Sequence, residues 1–187
     1  MAIKIFIDQG HNPSGHNLGA SVGNIFEQDI TYNVGLFLAA LLRLDGRFDA
    51  ALSRSLPSEV LGEDTAGSLA ARVYMANTWP ADYFLSIHAN ANVNPGINGT
   101  EMYVYSQNGE AYPLAQNILT AIVATVGTRN NLVRLNPALY VLKNTNMPAV
   151  LVELAYMTNP SDLNLLLTKQ FEFAKGIYIG LLTYFGL

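Results

Sequence analysis

The stretch YFLSIH, residues 83–88, decides how the chain is read. Its first five residues form an almost continuous apolar run, the pattern of a strand buried on both faces of a sheet, and at His88 it turns abruptly polar. Two other stretches repeat the arrangement. Ile3 to Ile7 is β-branched and apolar before Asp8 and His11, and AVLV at 149–152 runs into Glu153. Between them the apolar spacing changes to that of helices. Val34, Phe37, Leu38 and Leu41 share one face of a helix from Ile30 that ends near Gly46, and Leu69, Val73 and Ala76 share another. Leu114 to Val126 is predicted helical, and Phe171, Ala174, Tyr178, Leu181 and Phe185 give a last helix its inward face. Further strands are expected at Ala50–Ser53, Thr100–Tyr105 and Leu139–Leu142. Asn159 followed by Pro160 and Asp162 reads as a capped helix start. Strands alternating with helices predict an α/β domain with a mostly parallel twisted sheet.

The 187 residues, half of them apolar, suffice for a sizeable core and are expected to form a single domain, 1–187. Ten Lys+Arg against 14 Asp+Glu give a net charge of -4 without a basic block, which argues against nucleic-acid binding. With no cysteine, any metal must be held by His, Asp or Glu. The apolar run before Asp8 is too short for a secretory signal. No stretch approaches the ~20 apolar residues of a transmembrane helix.

In an open α/β sheet, ligands gather beyond the carboxyl ends of the strands. His11, His88 and Glu153 are therefore expected on one edge, joined by Glu27 if the long Gly- and Asn-rich loop from Asp8 to Asn24 folds back over the sheet. Two His and one carboxylate form a known ligand set for catalytic zinc, and a second carboxylate nearby suits a general base. Each residue also has an ordinary explanation. His11 fits a plain loop histidine, His88 a strand-end ring satisfied by backbone, and His16 a solvated loop residue. Asn24 and Glu27 have the spacing of a capping box, and on spacing alone the cap is the better reading of Glu27. Glu153 is harder to dismiss, since an acid directly after VLV is costly to bury unpaired. Ser86, His88 and Asp8 raise a serine-hydrolase reading, weakened by the lack of a G-x-S-x-G elbow.

Taken together, IFIDQGHNPSGHNLGA, SLAARVYMAN, ADYFLSIHANA, GTEMYVY and LYVLKNTNMPAVLVELAYMTNPSD resemble, in order and over nearly the whole chain, the zinc-dependent N-acetylmuramoyl-L-alanine amidases of the Amidase_3 type. The resemblance implies a sheet flanked by helices on both faces. It also implies that His11, Glu27 and His88 hold Zn2+ and that Glu153 is the catalytic acid/base, overruling the cap reading of Glu27. The chain departs from the family pattern at Asn12-Pro13, where GHGG is common, and at Ala155-Tyr156-Met157-Thr158-Asn159, where GF-x-SN is common.

The expected reaction is hydrolysis of the amide between N-acetylmuramic acid and the L-alanine of the stem peptide in peptidoglycan. Rival expectations are a zinc peptidase cutting within the stem peptide and an inactive wall-binding module. Asp8 and Asn90 are candidates for orienting a ligand ring. The acidic balance gives no pull toward anionic wall polymers, so targeting is expected to rest on a separate wall-binding domain or partner. The expected place of action is the bacterial cell wall, reached as a phage lysin, as a sporulation-type enzyme, or as the catalytic part of a secreted parent.

Overall fold

The computed structural model describes residues 2–187. In chain order the elements are β1 (Ile3–Gln9), β2 (Ser21–Val22), β3 (Ile25–Phe26), α1 (Glu27–Leu44), β4 (Phe48–Leu52), α2 (Thr65–Thr78) and β5 (Tyr83–Asn90). They continue with β6 (Thr100–Val104), α3 (Ala111–Val126), β7 (Asn130–Leu135), α4 (Tyr140–Asn144), β8 (Ala149–Tyr156), α5 (Pro160–Thr168) and α6 (Gln170–Phe185). Six strands form one sheet in the order β4-β1-β5-β8-β6-β7, and β2 and β3 make a separate small hairpin. All pairings in the large sheet are parallel except β6 with β8.

The apolar runs occupy the middle of this sheet because only there are both faces covered. Ile5, Ile7, Leu85, Ile87, Val150 and Val152 pack into a core that includes Val34 and Leu38 of α1. Ile118 and Ile122 of α3 and Phe173 and Ile177 of α6 belong to the same core. Alternate residues Phe6, Phe84, Ala149 and Leu151 face the other way, onto Val73 and Ala76 of α2 and Val141 and Leu142 of α4. The period of two along each strand thus feeds two cores. Helices flank both faces, as expected.

Four local expectations are corrected, the first being Phe37, which is 40% exposed on α1 rather than on its inward face. Leu139–Leu142 is not a strand: Leu139 precedes the short helix α4, whose Val141 and Leu142 are buried. Four apolar residues do not distinguish helix from strand, and the neighbouring strand β8 already has β5 and β6 on its two edges. Phe171 is 46% exposed, and Phe173, fully buried, takes its inward place in α6. Strand β5 does not end at His88 but continues to Asn90. The capped start at Asn159 is present, its side chain accepting hydrogen bonds from the backbone N–H groups of Ser161 and Asp162.

Strand β7, absent from the sequence reading, is a polar edge strand with no buried residue. Within it Leu132 has φ 73° while its side chain is 68% exposed. A left-handed conformation costs a side-chain-bearing residue roughly 1–2 kcal/mol, of which glycine's extra unfolded-state freedom gives back about 0.5–1 kcal/mol. Leu132→Gly is therefore expected to stabilise the fold by about 1 kcal/mol, a rise of about 2–4 °C in Tm by calorimetry. A drop in Tm would mean that the exposed leucine packs against something in solution.

Candidate metal centre

Strands β1, β5 and β8 are parallel, so their carboxyl ends share one edge. Beyond β1 the chain turns through His11, itself at φ 70°, and this conformation aims the ring back across the edge. His88 projects from β5. Glu27, the first residue of α1, returns from the loop and is anchored there twice: Oε1 accepts from Ala89 N (3.0 Å) and Oε2 from Ala20 N (2.8 Å). Phe26, not Asn24, is the N-cap residue of α1, and no side chain caps it. The capping-box reading of Glu27 is thereby excluded, since its carboxylate is committed elsewhere.

His11 Nε2, His88 Nδ1 and Glu27 Oε1 form a triangle with every side 3.1 Å. The other ring nitrogens fix which lone pairs face inward. His11 Nδ1 lies 3.2 Å from the backbone oxygen of Asn17 and 3.1 Å from its Oδ1, both acceptors, so it carries the proton. His88 Nε2 lies 3.1 Å from Ser86 Oγ, whose own proton goes to Asp8 Oδ2 at 2.7 Å; this ring nitrogen is therefore also the protonated one. Three lone-pair-bearing atoms consequently point at one another. Tetrahedral coordination at ~2.0–2.1 Å separates ligand atoms by about 3.3 Å, close to the triangle's side. A divalent cation turns a repulsive arrangement into a favourable one, and the residues present fit it.

Burial opposes ionisation of Glu27, but a proton held on the inward nitrogen of His11 or His88 outweighs it and holds the carboxyl well below the usual carboxylate range, and a cation in the triangle would take the place of that proton. Glu153 behaves oppositely. Burial, reinforced by the charges of Glu27 and Glu101, pushes its carboxyl well above that range. Its Oε2 is shut from solvent and has no hydrogen-bond partner among the described residues. Glu153 sits in register with His88 on the neighbouring strand and so shares a sheet face with it. An unpaired carboxylate oxygen of raised proton affinity, one strand from the triangle, is equipped to accept and return a proton.

Tight packing enforces the geometry. A Cβ on Gly10 would come within 2.6 Å of both His88 Cε1 and Ile87 O. At Gly19, where φ is 76°, a Cβ would lie 2.6 Å from Glu27 Oε2. These glycines leave room for the ligand side chains and nothing more.

Beneath the triangle, Arg72 was missed by sequence reading because it lies on α2, far from the polar strand ends. Fully buried, it donates to Asp8 Oδ1 (2.6 Å), to the backbone oxygens of Gln9 (2.6 Å) and His11 (2.6 Å), and to Asn12 Oδ1 (3.2 Å). Arg72 thus fixes the turn that carries His11 and, through Asp8 and Ser86, the ring of His88. Asp8 orients a ligand ring only through Ser86, and Asn90 orients none, its amide going to Glu101 Oε1 (2.7 Å). The serine-hydrolase reading fails on the same contacts. Asp8 binds Ser86 rather than the histidine, and Ser86 is fully buried. His16 lies outside the triangle, with Nε2 3.2 Å from Leu61 O.

Both side chains of the Asp8–Arg72 ion pair are 1% exposed. Removing one partner of such a pair strands the other charge at a cost of about 3–5 kcal/mol. Arg72→Met is expected to lose that much unfolding free energy in urea titration, and an unchanged midpoint would show the pair to be dispensable.

A family model described as N-acetylmuramoyl-L-alanine amidase matches residues 5–183. N-acetylmuramoyl-L-alanine amidase LytC of Bacillus subtilis (strain 168) is 36% identical over 186 residues, 97% of this chain and 35% of LytC. N-acetylmuramoyl-L-alanine amidase CwlM of Bacillus licheniformis is 33% identical, over 99% of this chain and 70% of CwlM. The chain thus spans about a third of the first of these relatives and about two thirds of the second. The crystal structure of an N-acetylmuramoyl-L-alanine amidase from Clostridium difficile 630 superposes with a TM-score of 0.87 at 29% identity, covering 99% of this chain and 97% of that one.

Proposed function

The chain belongs to the N-acetylmuramoyl-L-alanine amidase family, and from that premise we propose that residues 1–187 form the catalytic unit of a zinc-dependent peptidoglycan hydrolase. Its target is the amide joining the lactyl group of N-acetylmuramic acid to L-alanine. The observation that carries this reading is the 3.1 Å triangle of His11, Glu27 and His88 with the unpaired oxygen of Glu153 beside it.

An amide is a poor electrophile, and water at neutral pH is a poor nucleophile. His11 Nε2, His88 Nδ1 and Glu27 Oε1 would hold zinc, which would supply Lewis acidity toward the carbonyl oxygen and a water of pKa lowered to ~7. Glu153 takes the proton of the attacking water as the carbon–oxygen bond forms. It then delivers that proton to the alanine nitrogen as the carbon–nitrogen bond breaks. Asn17 and Ser86 hold the two imidazoles in the tautomers that keep their ligand lone pairs inward. The products are a muramic acid residue with a free lactyl carboxylate and a stem peptide beginning with L-alanine.

The place of action is the bacterial cell wall. Among the described residues no helix is long and apolar enough to cross a membrane, and the net charge of -4 offers no attraction to anionic wall polymers. Targeting therefore rests on a separate domain or partner.

Digestion of purified peptidoglycan, with and without a chelator and with the product termini identified, tests this reading. New L-alanine amino termini that disappear on chelation are the expected result. A different new terminus would make the protein a peptidase acting within the stem, and binding to the wall without peptide release would make it a non-catalytic module.

A further inference from the structure

The row of residues across the sheet does not stop at Glu153. On the far side of β8, Glu101 of β6 pairs in register with Glu153, so His88, Glu153 and Glu101 lie side by side on one face of three adjacent strands. Glu101 is 2% exposed, and both of its oxygens are in contact with protein groups. Its Oε1 receives Asn90 Nδ2 (2.7 Å), Tyr103 OH (2.9 Å) and Tyr156 OH (3.0 Å), and its Oε2 forms an ion pair with Arg134, whose Nε lies 3.1 Å away. With three donors on one oxygen and the Arg134 cation against the other, this carboxylate is compensated by the protein itself. Its effect is to pin the guanidinium of Arg134 at the wall of a cleft of about 410 Å³ that Arg129 also lines.

That cleft is the place where charge and position coincide. Arg134 keeps its two η nitrogens, and Arg129 its whole guanidinium, without a protein hydrogen-bond acceptor among the described residues, and both arginines are exposed. Two cations against the single anion Glu101 make this wall locally positive in a chain whose net charge is -4. The other nearby acid, Asp162, is buried and spent on the backbone N–H groups of Gly99 and Tyr156. Asn92 and Asn98 complete the polar lining: Asn92 Oδ1 accepts from Asn94 N and Asn98 Nδ2 donates to Gly96 O, which leaves Asn92 Nδ2 and Asn98 Oδ1 for a peptide backbone.

Resting on the amidase reading, we infer that the Arg129–Arg134 cleft is the subsite for the departing stem peptide and recognises a free carboxylate on the residue that follows L-alanine. Direction follows from the row: the metal ligands lie on the β5 side of Glu153, so the nitrogen that Glu153 protonates leaves toward β6. Distance agrees as well. Adjacent strands are about 4.8 Å apart, and two extended residues span about 7 Å. Arg134 belongs to β7, two spacings or about 10 Å from Glu153, but its guanidinium reaches back to Glu101 on β6, within the span of a second stem residue, where paired, charge-assisted hydrogen bonds discriminate an acid from its amide.

The test uses the tripeptide L-alanyl-γ-D-glutamyl-L-lysine, with the α-carboxyl of its second residue free or amidated, in calorimetric titrations of the full chain. The free acid is expected to bind about 10-fold tighter than the amide. Arg134→Gln and Arg129→Gln should each shrink that ratio, the double variant should abolish it, and Arg134→Lys should keep part of it. Both positions are exposed, so the variants should fold, which their unfolding curves will show. Equal affinity for the two peptides, no binding of either, or a preference that survives the double variant overturns the inference. Failure of the amidase reading looks different: peptidoglycan yields no L-alanine-ended peptide, whatever the tripeptides do.

Discussion

Glu153→Gln is expected to cut turnover by about 10²-fold or more while leaving the bound metal in place. The substitution keeps the size and shape of the side chain and removes only its ability to take and return a proton. Glu153 is not part of the ligand triangle, so metal content should stay at the wild-type level. Stability should not fall either, because the neutral amide relieves a buried group whose ionisation is opposed first by burial and then by Glu27 and Glu101. A steady-state assay on soluble muramoyl peptides, paired with elemental analysis of the same samples, separates these effects. Full turnover in the variant would remove Glu153 as the base, and loss of metal together with turnover would make it a ligand instead.

His88→Ala should instead lose metal and turnover together. Nδ1 supplies one vertex of the triangle, and no other side chain among the described residues stands ready to replace it. His11→Ala should behave alike through Nε2. The comparison that gives these variants meaning is Ser86→Ala, which leaves all three ligand atoms present but removes the acceptor that fixes the His88 tautomer. Loss of such an outer partner typically costs 10–100-fold in metal affinity, so competition with a chelator should rank Ser86→Ala between wild type and His88→Ala. A His88→Ala protein that retained metal at wild-type affinity would refute the ligand assignment.

The legible parts of the fold were those dictated by burial on two faces. YFLSI and AVLV could hardly be anything but central strands, and their polar ends located the edge where the side chains gather. What the sequence left open has physical causes. Leu139–Leu142 had the composition of a strand and became a helix because the tertiary surface beside α2 decided its conformation. Strand β7, polar and exposed at the sheet edge, carries no apolar alternation to announce it. The role of Glu27 was invisible locally because its partners, Ala20, Ala89 and the two histidines, are supplied by chain folding. Arg72 gave no signal because an arginine on a helix is ordinarily solvated, and only the packing of α2 beneath His11 makes it central. Candidate ligands could be named from strand ends, whereas the network that orients them had to be seen.

The central claim is a single divalent cation seated between His11, Glu27 and His88. Anomalous diffraction collected above and below the zinc absorption edge, from crystals of zinc-supplemented protein, addresses it directly. One anomalous peak per chain within bonding distance of His11 Nε2, His88 Nδ1 and Glu27 Oε1 is the predicted result. No peak there, or a peak held by other residues, would contradict the account.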